Sequence, residues 1–315
     1  MLRYVAKRIL TIIPMLIVVM FIIYGIMELT PGEPARLILG TNASQDAVDK
    51  LTVELGYDKP FIVRYVTYVA HAFTGDLGES WQTGRPVFQE IIIRFPTTIK
   101  LALFAMVLAV VIGIPLGILS AVKQYSVFDA MGTTLAMVLA SVPSFWLAMM
   151  LIILFSVKLR LLPSFGTGSF AHYILPAVAM SCAEIAILLR FTRTTMVEQI
   201  RQDYVRTARA KGQIERAVIF SHALPNALLP VVTVTGTEFC GMLGGVVTIE
   251  TVFSINGVGM LIYNSILKKD VPMVTGGAIF LSLSVMLVMV VIDILYAFID
   301  PRIKARYTGE KKGGK

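Results

Sequence analysis

Charge is scarce in this chain. Only 15% of its 315 residues are Asp, Glu, Lys or Arg, 56% are hydrophobic, and the mean hydropathy is +0.77. A soluble domain carries about a quarter charged residues, so this composition excludes a soluble fold and indicates an integral membrane protein. Cysteine is nearly missing: Cys182 and Cys240 lie in apolar stretches without metal-ligand spacing, which argues against a disulfide framework or zinc site and is silent on redox compartment. The three histidines, His71, His172 and His222, are far apart. No G-x-x-x-x-G-K-[ST], H-E-x-x-H or G-x-S-x-G occurs. The chain therefore has no Walker loop for ATP phosphates, no metal site or nucleophile emerges, and no catalytic residue is assigned. No tandem or inverted repeat is visible, which weighs against a secondary transporter using intramembrane carboxylates as proton relays.

Long apolar runs are what the chain has. A bilayer core takes about 20 mostly apolar residues per helix. Residues 9–27, 101–122, 130–157 and 271–292 are uncharged; 173–189 carries Glu184, and 226–251 carries Glu238 and Glu250. The expectation is an all-α integral membrane protein with six transmembrane helices. With both termini cytoplasmic, 17 of the 28 Lys and Arg fall on the inner side and 11 on the outer, as the positive-inside rule requires. The net charge of +8 is then a topology signal and not a nucleic-acid footprint. The opening MLRYVAKRIL has the charge of a signal n-region, but its apolar run is too long and no A-x-A site follows, so it reads as an uncleaved first helix.

Four regions follow: 1–29 with the first span, 30–96 as an outward-facing helical insertion, 97–304 as the core, and 305–315 as a basic cytoplasmic tail near anionic lipid. In the insertion, Ser44 is a candidate N-cap, Asp46 favours the first turn, and Val48, Leu51 and Leu55 share a face that Gly56 ends. A second helix over 60–73 is aromatic on one side (Phe61, Tyr65, Tyr68), suiting the outer membrane surface; a third, short helix is expected near Gly84–Val87. The second span is expected to open at Pro96, and its Gly113 and Gly117 have the spacing of close helix approach, which is also common by chance. Pro143 implies a kink in the third span.

The polar stretch from Asp203 to Pro230 stands out. Arg206, Arg209 and Lys211 alternate with Thr207, Ala208 and Ala210; Gly212 breaks the run; a second helical run, 213–222, leads to His222, Leu224 and Pro225. The pattern describes a protruding small-faced elbow, with Pro225 placed in the first turn of the next helix. It resembles the EAA loop of ABC importer permeases, E-A-A-x-x-x-G, nine residues, I-x-L-P: Gly212, Leu224 and Pro225 fall on pattern, while Arg206, Thr207 and His222 match the variant of the B-type subunit of dipeptide and oligopeptide importers, a group that includes nickel and glutathione systems. Pro31-Gly32-Glu33-Pro34-Ala35, LGYDKP, GDLGES, GRPV, FSINGVG, Lys269-Asp270-Val271-Pro272 and Asp300-Pro301-Arg302 resemble further segments of that family.

The resemblance implies a six-helix ABC importer permease fold whose coupling loop, 193–225, docks on a separate ATPase. It implies two P-loop ATPase subunits that bind ATP and Mg, with no cofactor in this chain, a second homologous permease in a heterodimer, and an extracytoplasmic substrate-binding protein. The location implied is a bacterial or archaeal inner membrane. A peptide is the substrate class implied, with nickel or glutathione as the alternative. Intramembrane acids mark pathways or paired interiors. Glu238 leads as a pathway wall for a peptide amino group or, equally, as a carboxyl paired with a neighbouring helix; Glu184 is second, and Glu250 and Asp293, near helix ends, read as interfacial.

Overall fold

The computed structural model describes residues 2–29, 32–40 and 42–299, with side-chain surroundings for 6, 8–29, 32–40 and 42–294. Pro31, the Asp300-Pro301-Arg302 ending and the basic tail lie outside the described residues. The described chain is helical: α1 (Leu2–Glu28), α2 (Pro34–Leu39), α3 (Gln45–Glu54), α4 (Phe61–Phe73), α5 (Val87–Val122), α6 (Val127–Ser141), α7 (Ser144–Leu151), α8 (Ala171–Ile200), α9 (Asp203–Ala210), α10 (Glu215–Ala217), α11 (Leu224–Val252), α12 (Val258–Leu267) and α13 (Val271–Ile299). Among the described residues the sole β pairing is an isolated bridge between Glu79 and Pro86. Five helices are long and apolar enough to cross a membrane, and the bent pair α6–α7 makes six if counted as one span.

That bent pair corrects the expected kink. α6 and the segment starting with α7 meet at 98°. Val142, held extended at φ −82° and ψ 123°, shows why: a residue before proline is pushed out of the helical region, so the break is a corner. α7 continues as a π-helix over Ile152–Lys158. The start of the second span also differs. α5 begins at Val87 and runs through Pro96, so there is no separate short helix at Gly84. Val87 and Ile91, one turn apart and both fully buried, anchor this first part.

Two compact units result. One comprises Ile99–Ile255 with α13 from Leu287; the other comprises Ala6–Thr98 with Asn256–Met286. In the second unit, the aromatic side of α4 packs on α1: Phe61 and Tyr65 meet Phe21 edge-on at 5.8 and 5.3 Å, and Tyr65 Oη donates to the Ile17 carbonyl at 2.7 Å. Its core joins Leu77, Val87, Ile91, Ile262 and Val274. A Cβ at Gly276 would lie 2.5 Å from Val87 Cγ1, and one at Gly277 2.6 Å from Ile262 Cγ1, so α13 seats tightly here.

In the first unit, α8 is the central helix, with α6, α7 and α11 packed on it. Gly113 and Gly117 of α5 both face α8, where an added Cβ would stand 2.9 Å from the Ile185 carbonyl and 2.6 Å from that of Leu189. The glycine spacing is thus a real packing seam. Gly241, Gly244 and Gly245 of α11 differ, with nothing within 4 Å of an added Cβ.

Gly117→Val is expected to lower the thermal midpoint of the detergent-solubilised protein markedly, since overpacking costs roughly 1–3 kcal/mol, while Gly244→Ala leaves it unchanged. Equal losses in the two variants would contradict the seam.

Candidate functional site

α8 ends at Ile200 with Arg201 as its C-cap, and extended Gln202 turns the chain into α9, whose first turn carries Asp203. An acid there complements the helix dipole. α9 is amphipathic: Val205 and Ala208, three residues apart, are buried with Met196, Val218, Ile219, Ala223 and Ala227. Arg206, Thr207, Arg209, Ala210 and Lys211 are exposed. The small face expected to meet a partner is therefore split. Ala208 packs within its own unit, because residues three apart on a helix share a face, whereas Ala210 stays outside.

Gly212 follows with φ of 79° and no atom within 4 Å of an added Cβ. Its backbone conformation, not crowding, asks for glycine. Arg209 closes the turn by donating through Nε and Nη2 to the Glu215 carboxylate at 3.1 and 2.6 Å. That bond raises the Arg209 pKa further above its ordinary value, so the clip stays charged across the physiological range. Beyond the turn, His222 Nε2 lies 2.6 Å from Gln213 Oε1, and Asn226 Nδ2 donates to Tyr204 Oη, which donates to Gln199 Oε1. The expected second helical run is α10 followed by a π-helix over Val218–Ala223 that leads directly into α11. Pro225 thus sits at the exit of a widened turn within one helical stretch. A π-turn accommodates a residue whose ring and missing N–H disturb the ordinary ladder.

Sequence reading missed the apolar part of this surface. Ile214 and Phe220 are 71% and 53% exposed. Phe220 and Ile219 border a groove of about 470 Å3 with Pro115, Ile118 and Val122 of α5. Large apolar residues beside a polar loop were the available signal.

The two leading intramembrane acids come together. Glu184 of α8 lies beside Glu238 of α11, near enough for the two carboxyls to interact, and Glu184 Oε2 has no hydrogen-bond partner among the described residues. Glu250, near the end of α11, is fully buried, as are Phe253 and Ile255 just beyond it. Asp293 is half-buried near Cys240.

The model of the family described as binding-protein-dependent transport system inner membrane component matches residues 113–305, and the corresponding N-terminal model matches residues 1–102. The chain is 40% identical to the dipeptide transport system permease protein DppB of Alkalihalophilus pseudofirmus, with 96% of this chain and 100% of that protein covered. It is also 40% identical to the glutathione transport system permease proteins GsiC of Salmonella paratyphi A and Escherichia coli O6:H1, with 96% of this chain and 99% of each covered. Among solved structures, the inward-facing MetNI methionine ABC transporter in its CY5 SeMet soak crystal form shares the fold at a TM-score of 0.56 and 19% identity, covering 66% of this chain and 95% of that one.

The inward turn of Ala208 makes a direct test. Ala208→Asp places a carboxylate in a closed apolar cluster and is expected to cut the yield of folded protein sharply, while Ala210→Asp, on the exposed side, leaves yield and thermal midpoint unchanged. Equal behaviour of the two would contradict the orientation of α9.

Proposed function

Because the chain belongs to the family of binding-protein-dependent transport system inner membrane components, we propose that it is a permease subunit of an ATP-driven importer of short peptides. The observation that carries this reading is 40% identity over 96% of the chain to a dipeptide permease. The glutathione permeases stand at the same identity, and glutathione is itself a short peptide, so the two readings share a substrate class.

The coupling surface is the outer side of the elbow: Arg206, Thr207, Arg209, Ala210, Lys211 and the Gly212 turn, backed by His222, Leu224 and Pro225. It engages a separate P-loop ATPase, which holds ATP and Mg, since this chain carries no Walker motif. Two such ATPases serve two permeases, this chain and a homologous partner, because one chain has one elbow. The termini lie in the cytoplasm and the 30–96 insertion faces the substrate-binding protein outside. The permease itself performs no bond chemistry.

Within the pathway, Glu184 and Glu238 act as one unit. Two adjacent carboxyls offer a peptide ammonium a polar stop in an apolar passage. Intramembrane ionisable groups are costly unless paired in this way.

Copurification tests the assembly: a tagged chain extracted in mild detergent is expected to bring a second six-span permease and a P-loop ATPase in fixed stoichiometry. A stable chain recovered alone would overturn the reading. Within the complex, Gly212→Leu distorts the turn by roughly 1–2 kcal/mol. It is expected to leave insertion and basal ATP hydrolysis intact while peptide uptake falls by about tenfold or more; unchanged uptake would remove the elbow from coupling. Glu238→Gln is expected to lower uptake several-fold in an assembled complex. Failure to assemble would assign the pair a purely structural role.

A further inference from the structure

A cleft of about 470 Å3 lies within the second unit, walled by Tyr24 of α1, Leu55 and Tyr57 after α3, Tyr68 of α4, Trp81 and, from α13, Thr275. Small-molecule sites run from about 300 to 1,000 Å3. Four rings form much of the wall: Tyr24 and Tyr68 have centroids 5.3 Å apart, and Tyr57 and Trp81 6.2 Å. Burial drives the Tyr57 and Tyr68 hydroxyls well above the ordinary tyrosine pKa, so both remain neutral phenols. Glu79 is the one ionisable acid or base other than tyrosine along this wall, and it is exposed at the rim. Arg64, stacked 4.6 Å over the Tyr57 ring, pairs with Glu28 through Nη2, while its buried Nη1 has no partner among the described residues.

Tyr68 Oη and Thr275 Oγ1 have no hydrogen-bond partner among the described residues, and Thr275 is 1% exposed; both oxygens are covered, so what the cleft presents is ring faces and the exposed Glu79 carboxylate. Aromatic faces attract cations, and a carboxylate selects positive charge and disfavours an anion.

We propose that this cleft binds the amino-terminal end of a short apolar peptide, a cationic ammonium carried on an apolar body. The ammonium chemistry stands on the cleft alone; the choice of a peptide as its carrier rests on the importer reading. The apolar side chain packs against Leu55 and the rings, and the ammonium faces Glu79.

The chain contains two tryptophans, Trp81 and Trp146, so Trp146→Phe leaves Trp81 as the only reporter. The full-length variant in detergent is titrated with the dipeptide Phe-Leu and with N-acetyl-Phe-Leu while Trp81 emission is followed. The expected result is a saturable change with Phe-Leu and at least tenfold weaker binding of the acetylated form. Glu79→Gln, an exposed change that spares the fold, is expected to bring the two affinities together, and Tyr57→Ala to abolish the response. No saturable change, or equal affinity for both dipeptides in the Trp146→Phe background, overturns the proposal. Neither ATPase nor uptake enters this readout, so its failure is distinguishable from failure of the importer reading.

Discussion

Arg193 reaches from α8 to both oxygens of Asp129, at 2.6 and 2.7 Å, and the Asp129 carboxylate also accepts from Ser120 Oγ and, at 2.9 Å, from the Tyr125 amide. Asp129 is 3% exposed. A buried ion pair stabilises only when the remaining lone pairs are also satisfied, and breaking one side typically costs about 3–5 kcal/mol. Here every bond serves a different element: the last turns of α5, the turn after it, the start of α6, and α8. The seam above it follows the same rhythm. Ile185, Leu189 and Arg193 are four residues apart on one face of α8, and the first two meet Gly113 and Gly117 of α5. Met196, less than one turn further, enters the cluster that buries Val205 and Ala208. The elbow is therefore seated on a register that the Asp129 pair fixes.

The second unit has a counterpart in Asp270. Its carboxylate takes bonds from Ser80 Oγ, from the Trp81 amide at 3.1 Å and from the Met273 amide at 3.4 Å. Nearby, Thr98 Oγ1 accepts from the Val258 amide at 2.9 Å, and Arg94 Nε donates to Asn256 Oδ1 at 3.0 Å. Of the segments that read as separate family signatures, GDLGES and Lys269-Asp270-Val271-Pro272 are thus joined through Asp270, and the glycine-rich run after α11 is bonded to α5. Their residue types follow from orphan amides at helix starts, which explains why they carry polar side chains without forming a catalytic constellation.

Hydropathy over 20-residue windows was enough to find the spans, because a bilayer imposes length and polarity together. It could not place what one residue decides. The corner at Val142 comes from a pre-proline backbone preference that a window averages away. The start of α5 was hidden by Pro96, although Val87 and Ile91, four apart, carried the earlier helical signal. On the elbow, the alternation of small and basic residues was legible, but which small residue turned inward depended on Val205, whose cluster reaches from Ala121, 84 residues earlier, to Ala227, 22 residues later. Glu184 and Glu238 were legible singly as unusual acids. Their pairing across 54 positions was not, since only the packing of α8 against α11 creates it.

That packing also connects the two parts of the proposed mechanism. α9 is joined to α8 by two residues, Arg201 and Gln202, and to α11 through the Gly212 turn and the π-helix over Val218–Ala223. The Arg209 clip and the His222 contact brace the second link, so a load on α9 passes to both helices instead of being absorbed at the glycine. These are the helices that carry Glu184 and Glu238. In the proposed mechanism, helix shifts of about 1–2 Å of the kind seen in switching proteins would change the spacing of the two carboxyls, and with it the hold of the passage on an ammonium.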